Sequence, residues 1–147
     1  MQLNMTTDYG IRVVLYLAQK NSVTSSFEIC TNTGVPFSYM HKIARVLKNA
    51  DIICEKRGAT GGFELKKTVD EISILSIVRA FEKTININRC LEPDAFCSRN
   101  AVPHCAVRDF YVKIQDKLNE MLDVKVSTFL KSSQNVSAVP VDMLYTA

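Results

Sequence analysis

Several things are missing from this chain, and each absence excludes something. No uninterrupted apolar run reaches the ~18 residues that a membrane-spanning helix needs, so the membrane is excluded as a partner. The start lacks a basic stretch leading into an apolar core and a small-residue cleavage site. A cytoplasmic location is therefore expected. Paired C-x2-C hooks are absent, which excludes a zinc ribbon and leaves a thiol-redox enzyme as a remote alternative only. A strong excess of either charge is missing too, since the formal net charge is +3. What remains is a chain of 147 residues, 47% hydrophobic and 22% charged, enough for one compact domain and an extension. Its five cysteines are an odd number, and a reducing cytosol disfavours disulfides. Clustered thiols in that setting point to metal or redox chemistry.

The small charge excess is unevenly placed. Residues 1–70 hold nine basic and six acidic side chains, whereas the rest of the chain holds nine of each. Seven of those nine basic residues lie between positions 42 and 67, a local patch suited to phosphate. The surrounding pattern is helical. Ile11, Val14, Leu15 and Ala18 recur on one face and predict a helix over 7–20, capped by Thr6 or Thr7. Ser25 with Glu28 reads as a capping box opening a short helix that Gly34 ends. After the Val35-Pro36 turn, Pro36 is expected to open a third helix running to about Ala50. Met40, Ile43, Ala44 and Leu47 form its inner face. Ser38, His41, Lys42, Arg45 and Asn49 form the outer one, with Tyr39 at the border.

A short helix, a tight glycine turn and a helix with a basic outer face together make a helix-turn-helix. Two strands are expected next, Ile52–Lys56 and Phe63–Lys66, joined through Arg57, Gly58, Gly61 and Gly62. The glycines permit the positive φ angles of a tight hairpin. A hairpin in this position is the wing of a winged helix, with Arg57 at its tip to meet phosphate or a minor groove. The partner implied is double-stranded DNA, and Ser38, Tyr39, His41, Lys42, Arg45, Arg57, Gly58, Gly61 and Gly62 are the residues expected at it.

A fourth helix is expected over Ser73–Phe81, with Ile74, Ile77, Val78 and Phe81 inward. Periodicity then fails across a segment holding Cys90, Cys97 and Cys105 in C-x6-C-x7-C spacing. Three thiolates on one loop can converge on a single soft centre, an iron–sulfur cluster or zinc, and leave one coordination position open. The alternative is three unlinked cysteines, some buried as small apolar groups. Cys30 and Cys54 sit in apolar patterns and read as core. His104 adjoins Cys105, and neighbouring side chains rarely converge on one ion. From Ala106 a long helix resumes, with Phe110, Ile114, Leu118 and Met121 among the apolar residues of one stripe; it is expected to reach Phe129-Leu130. That stripe exceeds what one subunit can cover, so a homodimer is expected.

The Thr7-Asp8-Tyr9-Gly10-Ile11-Arg12 start, the Pro36-Phe37-Ser38-Tyr39-Met40-His41-Lys42-Ile43 helix and the Arg57-Gly58…Gly61-Gly62-Phe63 wing form one pattern with Ile72-Ser73-Ile74 and the cysteine loop. From residue 1 to about 130 it resembles the IscR/NsrR/CymR type of bacterial winged-helix regulators. The resemblance implies a homodimer that crosses its long C-terminal helices and binds a palindromic operator. It also implies a [2Fe–2S] or [4Fe–4S] cluster on Cys90, Cys97 and Cys105. Iron–sulfur-assembly members carry a histidine ligand just after the third cysteine, where this chain has Ala106, Val107 and Arg108. In nitric-oxide-sensing members an acidic residue of the other subunit fills the fourth position, and Asp8 matches it. Asp51 stands where relatives have the glycine that ends the recognition helix, and Asp tolerates left-handed geometry.

The reading is thus a mainly α protein with a small β-hairpin. Residues 1–83 are a winged helix-turn-helix domain, 84–105 a cysteine loop, 106–132 a dimerisation helix and 133–147 a tail. The expected function is a non-enzymatic transcriptional regulator, a repressor gated by a cluster that senses nitric oxide, iron or redox state. The alternative is a cluster-free relative that senses by thiol oxidation or through a partner protein.

Overall fold

A computed structural model describes residues 3–132, so the tail expected over 133–147 lies outside the described residues. In chain order the elements are α1 (Met5–Lys20), α2 (Ser26–Thr33), α3 (Phe37–Asn49), β1 (Ile53–Lys56), β2 (Gly62–Leu65), α4 (Ile74–Phe81), α5 (Ala106–Leu122) and α6 (Val126–Ser132). Two single 3-10 turns, Arg89–Leu91 and Val102–His104, punctuate the segment between α4 and α5. The fold class is as expected: mainly helical, with one two-stranded antiparallel hairpin.

α1 begins earlier than expected, because Asn4 rather than Thr6 or Thr7 caps it; the Asn4 side chain accepts the Thr7 N–H at 2.9 Å. Thr7 itself is buried and donates its hydroxyl to Glu82 Oε1 at 2.5 Å, which also accepts the Asn4 side-chain amide at 2.8 Å. The buried face of α1 is Val13, Val14, Leu17 and Ala18, with Ile11 and Leu15 only partly covered. Its centre is therefore rotated from the expected stripe, because α4 crosses at Gly10. A Cβ there would lie 2.3 Å from the Phe81 ring, so the glycine sets how closely the two helices approach.

Ser25 caps α2 and accepts the Glu28 N–H at 3.2 Å, but the box is half formed. The Glu28 carboxylate turns instead to Lys20 (2.7 Å) and the Tyr16 hydroxyl (3.1 Å). Gly34 ends the helix in the left-handed region, φ 69. Pro36 is the N-cap of α3, not its first turn. Met40, Ile43, Ala44 and Leu47 are buried, as the spacing predicts. Asp51 takes φ 56 beyond the end of α3 and accepts Lys66 Nζ at 2.6 Å.

The hairpin is tied to the domain by Thr24, which exchanges two 2.9 Å backbone hydrogen bonds with Phe63. The three wing glycines differ in purpose. Gly58 has φ 123 and needs the missing side chain for its backbone. Gly61 and Gly62 do not adopt positive φ. A Cβ would lie 2.5 Å from the Lys56 carbonyl oxygen at Gly61 and 2.2 Å from that of Thr24 at Gly62.

The long C-terminal helix expected over 106–132 is two helices. α5 ends at Leu122, and the chain returns to the domain: Ile74 N–H donates to Val124 O, Val126 N–H to Ile72 O, and Ser127 N–H to Val69 O. Val126 is fully buried and belongs to the same core as Val13, Met40 and Ile77. This return fixes the far end of α5 against the N-terminal half of the chain.

Candidate nucleic-acid interface and cysteine segment

Helix α3 projects its outer face clear of the core. Ser38, Tyr39, His41, Lys42 and Arg45 are all exposed. Tyr39 meets the Tyr9 ring edge-on at 5.6 Å, and Arg12, paired with Asp8 at 2.6 Å, lies 5.6 Å from the Tyr9 ring centre. The wing presents Arg57 and Gly58, both exposed, beside α3, with Gly61 and Gly62 half-buried where the hairpin rejoins the domain.

Ion pairing sorts the basic patch. Lys48 binds Glu55 at 2.6 Å, Lys56 binds Glu64 at 3.1 Å, and Lys66 binds Asp51 at 2.6 Å. These contacts lower the Glu55, Glu64 and Asp51 carboxyls, each chiefly through the hydrogen bond from its lysine. Lys42, Arg45, Arg57 and Lys67 form no such ion pair among the described residues. Three of these four cations lie on the outer face of α3 or at the wing tip, and Lys67 follows β2. One apolar side chain shares that face and was missed by the sequence reading: Phe37, the first residue of α3, is 56% exposed. Its i, i+4, i+8 relation to His41 and Arg45 carried the signal.

The three loop cysteines are all half-buried: Cys90 in the first 3-10 turn, Cys97 in the turns that follow, and Cys105 as the N-cap of α5. Backbone N–H groups, first that of Ala101 and then that of Arg99, hold the Cys97 thiol below its ordinary range. Cys30 and Cys54 behave oppositely. Burial pushes both thiols up, and at Cys54 a 3.5 Å contact to Glu64 adds to it. Among the described residues no three His, Cys, Asp or Glu side chains are gathered as a metal site. The donor chemistry suits an iron–sulfur cluster, with three thiols on irregular backbone and one held below its ordinary range by backbone N–H groups. Asp8 lies on α1, engaged by Arg12, and His104 closes the second 3-10 turn.

α5 holds this segment at two points. Gln115, 6% exposed, accepts the Ile87 N–H at 2.8 Å and donates to the Ile85 carbonyl at 3.2 Å. Arg108 Nε donates to the Cys90 carbonyl at 3.3 Å. Gln115 is the second residue that the sequence reading missed; a polar side chain among Tyr111, Leu118 and Leu122 was the available clue. The apolar residues of α5 divide into two stripes. Phe110 (59%), Ile114 (38%) and Met121 (71%) face outward, while Leu118 is half-buried and lines a cleft with Leu3, Val78 and Ile85. Among the described residues no helix is long and apolar enough to cross a membrane.

Comparison with known proteins bears on both regions. The family model Rrf2, described as an iron-dependent transcriptional regulator, matches residues 3–130. Among solved structures, IscR of T. potens superposes with a TM-score of 0.74 at 21% identity, over 99% of this chain and 97% of that one. CymR of B. subtilis, described as its global cysteine regulator, gives 0.75 at 24% identity, over 90% and 98%. A transcriptional regulator from Listeria innocua gives 0.75 at 23%, over 97% and 93%. At these identities the superpositions establish a shared fold.

Proposed function

Since the chain belongs to the Rrf2 family of DNA-binding transcriptional regulators, we propose that it is a homodimeric repressor gated by an iron–sulfur cluster. The observation that carries this reading is the double attachment of the cysteine segment to α5, through Gln115 and Arg108. That segment is the covalent link between α4, part of the DNA-binding core, and α5, whose outer stripe is available to a second subunit.

In this mechanism Lys42, Arg45 and Arg57 take phosphate, while the exposed N-terminal part of α3 faces base edges. A dimer must present its two α3 helices about one DNA turn, ~34 Å, apart on a palindromic operator. Phe110, Ile114 and Met121 supply the apolar contact between subunits, with Leu118 behind them. Cys90, Cys97 and Cys105 would hold the cluster, and Asp8 of the other subunit the fourth position. When bound, the cluster supplies a centre whose charge and bonding respond to nitric oxide, iron supply or oxidants. Gln115 and Arg108 transmit any displacement of the segment into the angle between α4 and α5, and so into the spacing of the recognition helices.

The test is anaerobic reconstitution with iron and sulfide, followed by visible spectroscopy and operator titration. Serine at Cys90, Cys97 or Cys105 is expected to abolish the cluster absorption, and serine at Cys30 or Cys54 to preserve it. Asp8→Ala is expected to give a cluster that forms but decays faster. Normal reconstitution of the loop variants overturns the proposal. That no three His, Cys, Asp or Glu ligands are gathered among the described residues favours one second reading, a cluster-free regulator that senses by thiol oxidation. It predicts a wild-type protein that stays colourless yet changes operator affinity on treatment with peroxide.

A further inference from the structure

We propose that Phe37 is a sequence-reading residue, contacting the 5-methyl group of thymine in the major groove; this rests on the DNA-binding reading above. The inward positions of α3 are filled by Met40, Ile43, Ala44 and Leu47. Phe37 is left 56% exposed. Its place is determined by helix geometry. Residues 37, 41 and 45 follow at i, i+4 and i+8, so the ring shares a stripe with His41 and the unpaired Arg45. The His41 ring stands edge-on to it, with centroids 6.2 Å apart and an interplanar angle of 84°.

Helical side chains lean toward the N-terminus, so the ring extends over the end of α3 that docks first into a major groove. Water is a poor environment for it, and the surrounding hydrophilic stripe offers no apolar cover. The one apolar group that a B-form major groove displays is the thymine methyl. Lys42 and Arg45, exposed on α3, supply the attraction that brings the groove there. Phe27, 75% exposed at the start of α2, is an internal control: it is equally apolar but lies on the other helix of the pair.

The experiment uses the full-length protein and a duplex enriched by it from a randomised library. Each thymine of that duplex is replaced in turn by deoxyuridine, which removes the methyl and nothing else. Wild type is expected to lose about fourfold in affinity per half-site at one symmetric position, the worth of one buried methyl group. Phe37→Ala should bind more weakly and lose that sensitivity, Phe37→Leu should retain most of it, and Phe27→Ala should retain all of it. Indifference of wild type to every uracil, an enriched half-site without thymine, or full uracil sensitivity in Phe37→Ala overturns the assignment while leaving the protein a DNA-binding one. Failure to enrich any duplex overturns the DNA-binding reading itself, and this inference with it.

Discussion

The two halves of the chain are held together by different means. Up to Val78 the fold is a continuous apolar core, in which Val13, Val14, Met40, Ile43 and Ile77 are fully buried. Between Val78 and Val126 the single buried residue is Gln115, and it is polar. The first half satisfies itself within one chain. In the second half four large apolar side chains of α5, Val107, Phe110, Ile114 and Met121, are exposed, and the connecting segment is held by hydrogen bonds. Burial by a second subunit and ligation of the three thiols would both act on this half, which is why the proposed signal is placed there. The core half is the part that must stay constant while it presents α3 and the wing.

The contrast can be broken most sharply at the core. Leu47→Ala removes a fully buried side chain and is expected to cost about 2–5 kcal/mol in urea denaturation. Ile114→Ala should cost the isolated subunit less than about 0.5 kcal/mol. Equal losses would show that both halves are packed alike. The outward stripe is tested next. Phe110→Asp combined with Met121→Asp should convert a dimer into a folded monomer in sedimentation velocity, with helix content kept. Monomeric wild type at micromolar concentration would remove the subunit contact from the proposal.

Smaller effects distinguish the exposed cations. Arg45→Ala and Arg57→Ala should each reduce the slope of log affinity against log salt by about one, with stability unchanged. Lys48→Ala, whose cation is already engaged by Glu55, should change the slope less. If all three behave identically, ion pairing does not select the DNA contacts. The smallest effect concerns acid. Hydrogen bonds, first from the Thr7 hydroxyl, hold the Glu82 carboxyl below its ordinary value of 4.5. Its folded pKa is thus lower than its unfolded one, so its contribution is complete above about pH 4.5 and is lost as pH falls through the folded value. Glu82→Gln should therefore flatten the acid limb of stability below pH 4.5, and parallel wild-type and variant curves there would contradict the role given to this latch.

The helix-turn-helix and wing were legible because their signals are local. Periodicity set the buried face of α3, Ser25 and Gly34 marked the ends of α2, and the glycines marked the hairpin. Spacing along the chain carries that information, since a helix or turn is decided within a few residues. Asn4 as a cap, the rotated face of α1 and the end of α5 at Leu122 were less legible. Each depends on a partner far away in sequence, as Asn4 does on Glu82 and the return of Val124 and Val126 does on Ile74 and Ile72. The sequence by itself determined the kind of elements, their order and the presence of three thiols on one irregular segment. Only the tertiary structure decided which lysines are neutralised, which stripe of α5 turns outward, and that Phe37 is left uncovered. Those outcomes follow from the juxtaposition of distant backbone, which no spacing of residues along the chain encodes.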